Sequence, residues 1–215
     1  MPARRLLSTL CILVLLAAGS PRAAGENTSH FHAAPGVPEK FPEHPAVGET
    51  APDFALQDTD GKPLALGEYL GRGYLVLAFG SASSANFRKS APELDRLARN
   101  WERMEVKVLL IYTREAHPAT LREKAPKSYR DRTQLARQIR KDLKINLKIL
   151  VDGWDDEVHR SYGAMPDAAF LLDPKGVILV RQLQARAPAL EHQLRLLLSV
   201  PEPGPQERPR KEEIR

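Results

Sequence analysis

The sequence has almost no cysteine. Cys11 is the single one in 215 residues, and it lies inside an apolar run from Leu6 to Leu16. One thiol forms no intramolecular disulfide, so a disulfide-stapled scaffold is excluded and the core must hold the fold. Aromatic residues are sparse as well, at 6%. No aromatic residues interleave with the basic ones, so the net charge of +5 does not by itself make a nucleic-acid interface, and no nucleic-acid partner is expected. The Leu6–Leu16 run is shorter than the roughly 20 apolar residues of a membrane-spanning helix, so no transmembrane span is expected either.

What the N-terminus does have is an ordered pattern. Arg4 and Arg5 precede the apolar run, and Ala17, Ala18 and Gly19 follow it. Basic, apolar and small residues in that order make a secretory signal peptide over residues 1–19, with cleavage somewhere between 18 and 25. The protein is therefore expected to be exported, periplasmic or secreted. Cleavage would remove Cys11 and leave a mature chain without any thiol.

Residues 20–46 are rich in Pro, Ala, His and Glu without an apolar period, and they read as a flexible linker. The linker carries a glycosylation sequon at Asn27 and three histidines, His30, His32 and His44. No acidic or thiol partner completes a metal site with them, so no metal and no cofactor is expected. Residues 201–215 are Pro-rich and charged, as in a disordered tail. One domain is left between them, over residues 47–200.

Within that domain Asp60-Gly61 sits between Ala55-Leu56 and Leu64–Leu66, which predicts a hairpin. Tyr74–Phe79 and Val106–Tyr112 are continuous apolar runs of strand length, as in a sheet buried on both faces. Between them Phe87, Ala91, Leu94, Leu97, Ala98 and Trp101 recur at helical spacing, with Pro92 expected to kink the helix. A second helix is predicted over residues 130–143 and a short strand at Ile149–Val151. A short helix follows near Asp155, whose N-terminus Asp155 and Asp156 suit, and which leaves His159 on the surface. The domain closes with a hairpin around Asp173–Gly176 and a helix over residues 188–198. The order predicts an α/β fold in which a central mixed β-sheet, with an N-terminal hairpin extension, is flanked by helices.

Several motifs carry a resemblance. Val47-Gly48, Ala51-Pro52-Asp53-Phe54, Asp60-Gly61-Lys62 and the strand after them resemble the opening of redoxin and peroxiredoxin-type thioredoxin folds. Gly163-Ala164-Met165-Pro166 resembles the cis-proline turn of that superfamily, which implies a cis bond before Pro166. Phe79–Ser84 followed by Phe87, then Glu115-Ala116-His117-Pro118, then Tyr162–Pro166 resemble three blocks of the iodothyronine deiodinases, in the same order. The resemblance implies a thioredoxin-like fold of an oxidoreductase family. It places the family's catalytic cysteine or selenocysteine on Ser84, its proton-donating or substrate-binding histidine on His117, and a family arginine on Arg132. Ala82, Ser83, Phe87, Met165 and Pro166 would shape the pocket.

A helix start lowers a thiol's pKa into the working range, whereas a serine hydroxyl remains neutral there and forms no disulfide-type intermediate. Serine would need a base to become a nucleophile; His117 is the candidate, with Glu115 to orient it. The alternative role for Ser84 is an N-cap, which requires no base. The expected function is thus a binding module without thiol chemistry, holding a small molecule or a protein. The competing expectation is a deiodinase-like or thioredoxin-like oxidoreductase with residual or partner-assisted activity. Segment 114–148 adds eleven Lys or Arg against four acids, which suits either a solvated helix face or an anionic partner.

Overall fold

Leu75–Gly80 (β3) shows why the chain folds as it does. Every residue of this strand is buried. Val76 and Ala78 enter one core, while Leu75, Leu77 and Phe79 enter another. Alternate side chains on a strand point to opposite faces, so one apolar run serves two cores at once. Each fully buried large apolar side chain contributes about 1.5–3 kcal/mol.

The computed structural model describes residues 42–201. The expected signal peptide, the Asn27 sequon, His30, His32, most of the linker and the tail beyond residue 201 lie outside them. The other strands are β1 (Ala55–Asp58), β2 (Pro63–Ala65), β4 (Lys107–Tyr112), β5 (Lys148–Val151), β6 (Ala169–Leu172) and β7 (Ile178–Gln182). They form one seven-stranded mixed sheet in the order β2-β1-β5-β4-β3-β6-β7. The central strands β5, β4 and β3 run parallel, and all the other pairs are antiparallel. This is the thioredoxin-like α/β fold the sequence predicts. The hairpin around Asp60-Gly61 joins the sheet through β1 and β5.

The helices are α1 (Ala85–Trp101), α2 (Pro118–Leu121), α3 (Tyr129–Asp142), α4 (Glu157–Ser161) and α5 (Ala187–Leu197). The three long ones share a face. Leu94 and Leu97 of α1, Ile139 of α3, and Leu190 and Leu194 of α5 all enter the core that holds Val76. On the opposite face α4 and the N-terminal segment cover the sheet, with Phe54, Val158 and Tyr162 around Phe79. Helix α1 continues through Pro92 as one span. Its buried face of Phe87, Ala91, Leu94, Leu97 and Trp101 keeps the helix in place despite the missing N–H.

Two expectations are corrected here. His159 is not a surface residue: it is 5% exposed and its ring packs 5.9 Å from that of Phe79. Helix α4 is one turn long, and it lays both Val158 and His159 on the sheet. The bond before Pro166 is trans; among the described residues the cis bond is His44–Pro45. The turn before Pro166 reverses earlier, where Gly163 and Ala164 take φ of 93° and 55°.

Candidate functional site

The parallel strands end together, at Gly80, Tyr112 and Val151. The loops that follow them therefore meet, and here the fold brings the predicted residues together. Residues 81–84 lead from β3 into α1, and residues 113–117 lead from β4 into α2.

Hydrogen bonds stitch these two loops. Ser81 Oγ accepts from the Ala116 N–H at 3.2 Å, and Ser83 Oγ accepts from the His117 N–H at 2.9 Å. In return the Ser83 N–H donates to Glu115 Oε2 at 2.7 Å. The other Glu115 oxygen accepts from the Tyr112 hydroxyl, which itself accepts from the Ala82 N–H at 3.0 Å. Burial, then the adjacent Glu115 carboxylate, raise the Tyr112 phenol well above its ordinary value, so it stays protonated and can donate. Both Glu115 oxygens thus hold the loop, and neither bonds the His117 ring. Glu115 is a positioning residue for residues 82 and 83.

Ser84 caps α1. Its backbone is extended and its Oγ accepts from the Phe87 N–H at 3.1 Å. This satisfies one of the four unpaired N–H groups of the helix start. Behind it Phe87 packs edge-on to Tyr112, with ring centroids 6.3 Å apart. Phe87 also lies so close to Gly80 that a Cβ there would meet its Cδ2 at 2.0 Å. Glycine ends β3 because the ring needs that space. Ala82 and Met165 are buried, Pro166 is half-buried and His117 is exposed.

One acid here escaped sequence reasoning. Asp167 follows Pro166, and the Ser84 side chain and His117 both act on its carboxyl. Burial raises the Asp167 pKa; the Ser84 hydrogen bond and the His117 charge oppose that shift. Its Oδ1 is buried and has no hydrogen-bond partner among the described residues. Ser84 and Asp167 are therefore neighbours at the start of α1, with His117 on the exposed loop tied to Ser83 beside them. The only sequence signal for Asp167 was its place directly after the Pro166 turn.

A cleft of about 380 Å³ opens beside Glu115, between Pro118, Pro126 and Trp154. A buried ion network builds its floor. Arg132, 3% exposed, pairs with Asp156 at 3.0 Å and donates to the Asp152 carbonyl at 3.1 Å. Arg114 pairs with the other Asp156 oxygen at 2.7 Å, and the Arg114 N–H donates to Asp156 at 3.0 Å. The Arg132 guanidinium lies 4.9 Å from the centre of the Trp154 ring. Beneath, Asp152 accepts from the Val158 and His159 N–H groups at 3.2 and 2.8 Å and so caps α4. Burial lowers the His159 pKa and keeps its ring neutral, and its Nε2 has no partner among the described residues.

No group of three or more His, Cys, Asp or Glu is placed to hold a metal among the described residues. His44 bonds Glu49 through Nδ1 at 2.6 Å. No helix among the described residues is long and apolar enough to cross a membrane.

The chain is similar to a thiol:disulfide interchange protein from Bacteroides sp., at 20% identity and a TM-score of 0.57 over 72% of this chain and 91% of that one. It is similar to peroxidoxin BcpB from Mycobacterium tuberculosis, at 20% identity and a TM-score of 0.55 over 73% and 98%. A secreted Mycobacterium tuberculosis disulfide oxidoreductase homologous to E. coli DsbE matches at 16% identity and a TM-score of 0.53, over 66% and 95%. At these identities the likeness establishes the fold. No curated protein matches the sequence. The AhpC/TSA family profile spans residues 47–181, more than half of the chain, and the protein belongs to the AhpC/TSA family.

Proposed function

We propose that this is an exported, deiodinase-like member of the AhpC/TSA family that works as a binding module, with Ser84 standing where relatives carry the catalytic thiol or selenol. One observation carries the proposal. The group at the start of α1 is a serine hydroxyl engaged as the helix cap, and the single cysteine of the chain lies in the apolar run near residue 11. Thiol–disulfide exchange and peroxide reduction both need a thiolate. An N-cap serine stays protonated and forms no bond to sulfur, so the site can hold a small molecule or a protein segment without turning it over.

The nearness of Asp167 to Ser84, and of the His117 backbone to Ser83, supports a binding surface at the start of α1. Asp167 offers a buried acceptor to a ligand donor, and Ser83 and Glu115 keep the loop in shape. Export follows from the N-terminal pattern, and one of the similar solved structures is of a secreted protein.

The test is turnover by purified mature protein with dithiothreitol and, in turn, iodothyronines, hydrogen peroxide and an organic hydroperoxide. The Ser84→Cys variant is assayed beside it. Activity in the variant alone is the expected result. Activity in the unmodified protein that His117→Ala abolishes would overturn the proposal and favour an oxidoreductase completed by another group.

A further inference from the structure

The far end of the molecule carries a second concave site. Helix α3 runs antiparallel to the strands beside it, so its C-terminus lies at the pole opposite Ser84. There Arg137, Arg140, Lys141 and Lys144 line a cleft of about 770 Å³ with Asp60 and Asn146. Four cations against one carboxylate leave three positive charges.

These cations are not explained by local pairing. Asp60, on the β1–β2 turn, holds Arg137 at 3.6 Å and Arg140 at 3.9 Å. Arg137 also donates to the Thr59 carbonyl, so that side chain is fixed against the hairpin. Lys141 and Lys144 have no ion pair among the described residues. Nearby Asp142 bonds Gln138 instead, at 2.8 Å. A helix C-terminus presents about half a negative charge, which one lysine answers. More than two positive charges then remain in one concavity.

Lys144 adds a second indication. It takes φ of 52° just past the end of α3, where its N–H reaches the Lys141 carbonyl at 3.1 Å and the Ile145 N–H reaches that of Arg140 at 3.2 Å. That position normally favours glycine, which has no Cβ to crowd the following carbonyl. The strained backbone carries a charged side chain into the cleft.

We propose that this cleft binds a soluble oligoanion bearing two or more phosphate or sulfate groups. Arginine gives forked contacts to such oxyanions and lysine gives mobile point charges. The cations of α3 and its C-terminal loop are gathered around the Asp60 turn, which suits a discrete ligand more than an extended membrane face. The proposal is independent of the role of Ser84, since the two sites lie at opposite ends of the parallel strands.

Calorimetric titration of the full chain with tripolyphosphate tests it, with anionic vesicles of phosphatidylglycerol in phosphatidylcholine as a second arm. Binding should weaken as salt rises. The double variant Lys141→Gln/Lys144→Gln should lose about tenfold in affinity. Lys124→Gln/Lys127→Gln, from the same basic segment but outside the cleft, should lose less than about twofold. Circular dichroism melting confirms that both variants fold. Equal losses in the two double variants, no binding of tripolyphosphate, or vesicle binding that tripolyphosphate does not compete with would each overturn the proposal.

Discussion

Asp156 and Asp167 lie at the same end of the sheet, the first buried and the second half-buried, and their surroundings differ. Asp156 has two arginines and a backbone N–H on its carboxylate. Asp167 has the Ser84 side chain, the influence of His117, and one oxygen with no partner among the described residues. The first is a closed node that holds three segments of the fold together. The second is an open acceptor beside the helix start. A buried acid surrounded by donors serves structure, and one left partly unmatched is available to a ligand or a proton.

Removing charge from the closed node breaks the comparison most sharply. Asp156→Asn tolerates the left-handed backbone, φ 57°, but leaves Arg132 buried without its counter-ion. It should destabilise the protein by about 3–5 kcal/mol in urea denaturation. A loss below about 1 kcal/mol would mean that the backbone carbonyls alone satisfy Arg132.

Glu115→Ala should come next. It strands the Tyr112 hydroxyl and the Ser83 N–H, for a cost of about 1–3 kcal/mol. Amide hydrogen exchange at Ser83 should speed up while exchange in β3 stays slow. Unchanged exchange at Ser83 would show that Ser81 and Ser83 hold the loop without the carboxylate.

The smallest effect belongs to Asp167→Asn, of opposite sign at neutral pH. Burial raises the Asp167 pKa above 3.8 in the folded state. Below that unfolded value both states are protonated, and the contribution of the group is fully present. As pH rises through the folded pKa the native state must ionise a buried acid, and that contribution is lost. The Asn variant should therefore be more stable than the parent at pH 7, by on the order of 1 kcal/mol. Its stability should also fall less between pH 4 and the folded pKa in pH-dependent denaturation. A less stable Asn variant at pH 7 would show that the charged carboxylate is matched after all.

The architecture was legible because apolar pattern and turn chemistry are local. Tyr74–Phe79 read as a strand buried on both faces, and β3 is buried throughout. Asp60-Gly61 and Asp173–Gly176 read as hairpin turns, and both hairpins form. The site was legible only in part. Ser84 as an N-cap follows from its place before a helical period. The partners of Glu115 do not, since Ser83 and Glu115 meet across 32 residues of chain. Asp167 meets Ser84 beside the adjacent strands β6 and β3, from a turn with no period to read. His159 was misplaced because a single helical turn presents too few residues to define a buried face. Pro166 was expected cis from resemblance, while the chain reverses through Gly163 and Ala164.

The stacking of Trp154 on Arg132 has an optical consequence. The sequence holds two tryptophans. Trp101 is 4% exposed and lies under Arg195, whereas Trp154 is 49% exposed at the rim of the cleft beside Glu115. Light emitted from the buried indole is blue and shielded, and light from the rim is redder and open to quenching by iodide. The two colours separate the core from the cleft, so the protein carries a built-in lamp at the one place where a ligand beside Glu115 would cast its shadow.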